Sequence, residues 1–192
     1  MIRAASGRSR WRVVSLGLLV LAGLGPGVWG AAFAAASTSV EYRIKAAMLY
    51  NFTRFIQWPT GGQNAAGQMA VCVLGQDPFG EALDAVAGKQ TQGKVLVVRR
   101  VGGPDDLAGC QVVFVSASES ARAGSILRRL ADLPLLTVSD MQGFTQMGGM
   151  IGFTLLQNKV RFGINLEAAR RAGLSISSKL LRLAVDVEEG PR

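Results

Sequence analysis

Four short apolar runs set the terms for this chain: MAVCVL at 69–74, KVLVVRRV at 94–101, QVVFV at 111–115 and the run at 133–138. They are brief and rich in β-branched side chains, and most lack the polar alternation of a strand with one wet face. They therefore read as strands covered on both sides. Helical segments separate them. Asp77 and Pro78 supply a cap and a first-turn proline for a helix over 79–87, which Gly88 stops, and Ser116 with Glu119 makes a capping box ahead of 117–130. Strands that alternate with helices pair in parallel, because the helix carries the chain back along the sheet.

Upstream, residues 41–57 repeat apolar side chains at Ile44, Ala47, Met48, Phe52 and Phe55, one helical stripe that Pro59 ends. Residues 60–68 read as a surface loop. Downstream, Ser139 and Asp140 cap a short helical turn through Phe144, and 150–156 and 159–164 flank Gln157 and Asn158 as a hairpin. A helix over 166–172 ends at Gly173, Ser177 caps a last helix through Val185, and 186–192 is a polar, frayed tail. The predicted fold is a single α/β domain: a mixed, mostly parallel sheet with flanking helices and an antiparallel C-terminal hairpin.

The amino terminus is a separate unit. Residues 1–12 are basic, 13–24 form an apolar run, and 25–37 are rich in small residues, which is the plan of a cleavable secretory signal. Cleavage after Ala34 or Ala36 fits the small-residue rule. The apolar run is shorter than the roughly 20 residues that span a bilayer, which disfavours an uncleaved anchor. No Arg-Arg pair precedes it, so the general export route is expected, and no Cys marks a lipid attachment point. The formal charge of +8 draws four of its 21 Lys and Arg from this segment (Arg3, Arg8, Arg10 and Arg12), leaving 17 basic against 13 acidic residues, or +4, after residue 36. Export places Cys72 and Cys110 in an oxidising compartment, where they can form the one disulfide two cysteines allow; two buried thiols are the alternative. Closing that loop stabilises the chain by about 4 kcal/mol in the chain-entropy account.

Histidine is absent, which removes Ser-His and Cys-His pairs, imidazole metal ligands and imidazole proton shuttles. Two thiols without His leave a metal incompletely ligated. Gly148 and Gly149 precede a strand instead of opening a helix, so the phosphate-binding fingerprints fail. Ser116, Ser118 and Ser120 have no neighbouring base but Glu119, and Ser177, Ser178 and Lys179 read as helix-start chemistry. Asp77, Asp105, Asp106 and Asp140 fall at turns and caps, unpaired as acid and base. The pairs Arg99-Arg100, Arg128-Arg129 and Arg170-Arg171 are scattered over three elements with few aromatics, unlike a nucleic-acid groove. No catalytic residue, cofactor or metal is assigned. On residues alone the chain is an exported α/β binding module.

Several stretches, in order, resemble the YfiR family of exported regulatory proteins: EYRIKAAMLYNFTRFIQWP (41–59), VCVLGQDPFG (71–80), GCQVVFVSASE (109–119), LLTVSDMQGF (135–144) and VRFGINLEAARRAGLSISSKLLRLA (160–184). The resemblance implies a YfiR-like domain over 40–187, after a signal peptide at 1–36 and before a polar tail at 188–192. It also implies the Cys72–Cys110 disulfide and a periplasmic protein without catalysis that represses an inner-membrane diguanylate cyclase of the YfiN type. Relief would come by sequestration onto a YfiB-like outer-membrane lipoprotein. Some members carry a second cysteine pair flanking the turn before the hairpin, absent here from 145–152, and an acidic residue where this chain has Gly163.

Repression of this kind needs differential affinity for two states of the partner and no reaction. The candidate partner surface is Ile151, Phe153, Arg161, Gly163, Glu167, Arg170 and Lys179, with sheet core as the alternative for Ile151 and Phe153 and a solvated helix face for the charged residues. A homodimer stays open. The competing class is a small-ligand receptor that binds at the strand ends and reports to a membrane kinase or cyclase.

Overall fold

The computed structural model describes residues 27–59 and 67–189, with side chains from Val40 onward. Of the signal peptide read at 1–36, residues 1–26 lie outside the described residues, as do 60–66 of the loop read at 60–68; within these readings 27–36 is helical and Gln68 begins a strand. Helix α1 (Gly27–Phe55) is followed by strands β1 (Ile56–Gln57), β2 (Gln68–Leu74), helix α2 (Glu81–Asp84), β3 (Gln90–Thr91), β4 (Lys94–Val101) and β5 (Val112–Val115). Helix α3 (Ala123–Leu130), β6 (Leu136–Ser139), β7 (Ile151–Leu156), β8 (Lys159–Asn165), α4 (Leu166–Arg171), β9 (Ser175–Ile176), α5 (Ser178–Leu181) and β10 (Asp186–Glu188) complete the chain.

Eight strands form one sheet in the order β10-β8-β7-β6-β5-β2-β4-β3, and β1 pairs with β9 apart from it. Strands β4, β2, β5, β6 and β7 run parallel in sequence across its middle, β7 and β8 are the antiparallel hairpin, and β10 adds parallel to β8. This is the expected α/β fold. Gln157 and Asn158 sit at φ 51° and 59°, the left-handed pair that a two-residue hairpin turn demands.

The sheet curls round α1. The Tyr50 hydroxyl on α1 donates to the Gln90 carbonyl of β3 at 2.9 Å, while Phe52, on the same helix, packs against Phe153 of β7 and Phe162 of β8 at centroid distances of 5.8 and 5.1 Å. The inner core joins Leu49 and Phe52 of the helix and Ile56 of β1 to Val71, Val73, Phe114, Val138, Ile151 and Ile164 of the sheet. On the outer face, Ala123, Ile126, Leu127 and Leu130 make the buried stripe of α3, at helical spacing, against Leu74, Val113 and Val115. With a layer on each side, β2 and β5 are buried nearly throughout, as their unbroken apolar runs require.

Cys72 and Cys110 form a disulfide, with Cα atoms 6.0 Å apart and a sequence separation of 38, tying the centre of β2 to the approach to β5. Gly75 turns the chain out of β2 at φ 90°, where a Cβ would lie 2.5 Å from the Ser118 hydroxyl oxygen. Only glycine fits there.

Several boundaries differ from the sequence reading. The stripe on α1 is rotated: Lys45, Ala46, Leu49, Phe52 and Thr53 are buried, while Ile44 is 41% exposed. Asp77 does accept the Phe79 N–H at 2.7 Å, but Gly80 at φ 51° interrupts the backbone and α2 is one short turn. The capping box is half made: the Ser116 hydroxyl accepts from the Ser118 N–H, whereas Glu119 turns to Arg122, so 117–122 winds as a 3-10 helix before α3 begins. Ser139 Oγ accepts the Met141 N–H at 3.1 Å, yet 141–148 is a run of turns without helix. Residues 186–188, expected to fray, are an edge strand, and α5 stops at Leu181.

Candidate functional site

The hairpin, α4 and α5 position the residues singled out in the sequence. Along β7 and β8 side chains alternate between the two faces, so Ile151 and Phe153 fall opposite Ile164 and Phe162 on the inner face. They are 0% and 5% exposed and belong to the core around Phe52. This corrects their assignment to a partner surface: the face that reaches solvent is the other one. Arg161, cross-strand from Thr154, is exposed there. Gly163 lies between Gly152 and Asp186 in register and is half-covered by β10, a Cβ on it meeting the Asp186 carbonyl at 3.7 Å.

Asn165 ends β8 and caps α4, its Oδ1 accepting the Ala168 N–H at 2.8 Å while its Nδ2 donates to the Thr145 carbonyl at 3.0 Å. That double use sets the angle of the helix. Leu166, Ala168 and Ala169 face inward, leaving Glu167 and Arg170 exposed. Ser177 Oγ accepts the Leu180 N–H at 3.4 Å and starts α5, with Leu180 buried and Lys179 exposed. Arg161, Glu167, Arg170 and Lys179 are thus all solvent-facing, but they occupy a strand, the start and end of one helix, and a second helix, so they form an extended surface and not a pocket.

Charge is concentrated on this unit. Between Lys159 and Arg182 stand Lys159, Arg161, Arg170, Arg171, Lys179 and Arg182, against the single carboxylate of Glu167. None of these cations makes an ion pair with a described residue, whereas Arg100, Arg122 and Arg129 are all paired, to Asp77 and Asp84, Glu119, and Asp105. A field left unneutralised within the fold is available to an anionic partner.

A second polar cluster was not found by sequence reasoning. Lys45, only 3% exposed, meets Asp140 Oδ2 at 2.6 Å and pairs with Glu41 one turn earlier on α1. The Tyr42 hydroxyl donates to the same Asp140 oxygen at 2.8 Å, and the ammonium sits 4.3 Å from the Tyr42 ring centroid. Burial and the adjacent Asp140 carboxylate push the Tyr42 phenol up from its ordinary 10.0. The one available signal was a lysine set four residues from a glutamate. Every polar group in the cluster is partnered, so it fastens α1 to the end of β6.

Beside it a groove of about 1060 Å³ runs between α1 and α2, lined by Tyr42, Arg43, Phe79, Ala82, Val86 and Lys89 among others. Among the described residues no cluster of three or more Cys, Asp or Glu could hold a metal ion, and no helix is long and apolar enough to cross a membrane.

Two solved structures are similar to parts of this chain at low identity. A conserved domain protein from Vibrio cholerae O1 biovar El Tor superposes with a TM-score of 0.52 at 11% identity, covering 76% of this chain and 60% of that one. The ABC domain from Streptococcus pneumonia, solved in complex with L-Trp, gives a TM-score of 0.48 at 12% identity, covering 62% of this chain and 55% of that one. The chain therefore spans less than two thirds of either. The family model described as YfiR/HmsC-like matches residues 42–185, from the start of the Tyr42–Lys45 cluster to the link into β10, and the chain belongs to that family.

Proposed function

We propose that this protein is an exported regulator that binds the periplasmic part of an inner-membrane signalling protein, a diguanylate cyclase of the YfiN type, and holds it inactive without catalysing a reaction. The observation that carries this reading is the family match across 42–185, which takes in the whole exposed surface of Arg161, Glu167, Arg170 and Lys179. By charge, that surface suits an acidic face of the partner, and preference for one partner conformation is all that repression needs. A YfiB-like lipoprotein in the outer membrane competes for the regulator and relieves the block.

The test is deletion of the gene with measurement of intracellular cyclic di-GMP, followed by complementation. Wild type should return cyclic di-GMP to its parental level, while Arg161→Glu with Arg170→Glu, both exposed, should fold normally and fail to do so. An unchanged cyclic di-GMP level after deletion rejects the reading. A second reading, a small-ligand receptor, is favoured by the α1–α2 groove alone. Saturable heat in calorimetry with a metabolite panel would support it.

A further inference from the structure

Four of the large apolar residues left exposed gather at one corner: Leu155 at 52%, Leu156 at 48%, Leu183 at 63% and Val185 at 48%. Register brings them together. Leu155 and Leu156 end β7, opposite Val160 and Lys159, and the Val185 N–H bonds the Phe162 carbonyl at 3.0 Å, which sets the 183–185 segment along the outer edge of β8 near the same tip. Consecutive strand residues point to opposite faces, so Leu155 and Leu156 make the hairpin end apolar on both sides. A protein groove seats one face of such a ribbon; leucines on both faces suit insertion into a medium. Lys159, Arg161, Lys179 and Arg182 rim the corner, all exposed and none ion-paired within the described residues. Of the nearby carboxylates, Glu188 is held by Thr145 and Gln146, and Asp186 lies farther from the tip beside Gly163.

We infer that this corner docks on an anionic lipid surface, the leucines and Val185 entering the headgroup boundary while the four cations meet lipid phosphates. Long basic side chains place their stems along the apolar residues and their charges at the phosphate level, which reconciles Lys159 with its place beside Leu156. Attachment through this corner would hold the protein against the membrane, next to an integral partner. It does not depend on the identity of that partner.

The experiment is sedimentation of the full mature protein with vesicles of equal parts phosphatidylglycerol and phosphatidylethanolamine, against phosphatidylcholine vesicles. Binding should be confined to the anionic vesicles and fall away at an ionic strength of about 1 M, where the Debye length is about 3 Å. Arg161→Gln and Arg182→Gln should each weaken it about fivefold. Leu155→Gln with Leu183→Gln, both on exposed side chains, should weaken it about tenfold or more with the melting temperature unchanged. Lys89→Gln with Lys94→Gln, at the opposite edge of the sheet, should have little effect. No binding to anionic vesicles overturns the inference, as does equal weakening by the opposite-edge variant, which would mean adsorption by net charge. If the leucine variant sediments normally yet no longer copurifies with a membrane protein, the corner is a protein contact and the lipid inference is wrong.

Discussion

The buried ammonium of Lys45 allows a quantitative test of how α1 is held. Its side chain is 4% exposed, and its partners Asp140 and Glu41 are 11% and 24% exposed. Asp140→Asn removes the more buried of two carboxylates and leaves a desolvated charge facing Glu41 alone. Breaking a buried pair from one side costs about 3–5 kcal/mol. With Glu41 still in place, the lower end of that range, about 3 kcal/mol, applies here. For a domain of this size, that is a fall of about 6–12 °C in melting temperature. Lys45→Met keeps the length of the side chain and removes the charge, while Asp140 retains the Tyr42 hydroxyl as a donor. That variant should cost less, and the Lys45→Met, Asp140→Asn double variant should recover much of the loss, with a coupling of about 2 kcal/mol. Urea unfolding of the four proteins supplies the cycle. If Asp140→Asn costs under about 1 kcal/mol, or the two losses simply add, Lys45 is not dependent on Asp140 and the account of the helix anchor fails.

Other consequences are open to direct measurement. Replacing both Cys72 and Cys110 by Ala should lower stability by about 4 kcal/mol, read by urea unfolding under oxidising conditions; a parental midpoint with parental repression would also end any role for the disulfide as a redox input. The raised Tyr42 phenol favours its neutral form in the fold, so its contribution is complete below pH 10 and declines above it as the unfolded chain ionises first. Tyr42→Phe should therefore flatten part of the alkaline fall in melting temperature, and an identical pH profile counts against the assignment. Phe153→Ala should destabilise by about 3–5 kcal/mol through the cavity it leaves beside Phe52, with any loss of repression tracking loss of folded protein. Gly75→Ala should also destabilise, because the new methyl meets Ser118 at a backbone angle alanine resists; a parental melting temperature would show that the 117–122 segment yields freely.

What was legible in the sequence follows from which forces act locally. Strands β2 and β5 were found within a residue or so because burial on both faces writes itself as an unbroken apolar run. Strand β4 was found by its β-branched residues although only Leu96 and Val101 on it are buried, so the expectation of cover on both its faces is corrected. The hairpin was legible because two polar residues interrupt two apolar stretches at the right distance. The phase of α1 was not: a lysine within the true stripe looks like a solvent-facing residue, and only Asp140, almost a hundred positions away, explains its burial. Strands β1, β3, β9 and β10 are two or three residues long and exist because a neighbour offers an edge, so they carry no pattern of their own. At the candidate site the charged residues were placed outward as expected, while Ile151 and Phe153 needed register to decide their face. Leu155 and Leu156 were overlooked, although two adjacent leucines already break the alternation of a half-buried strand.

Because the sheet closes round α1, the order of assembly is constrained. The helix is the first of the domain's elements to leave any machinery that delivers the chain from its amino end, yet its faces are met by β3 from early in the chain and by β8 from near its finish. Until β8 arrives, Phe52 lacks the rings of Phe153 and Phe162, and the interior stands open along one side. The chain must then remain uncommitted until almost all of it has been released, and a truncation before Phe162 should yield a collapsed, sticky product in place of a smaller native domain.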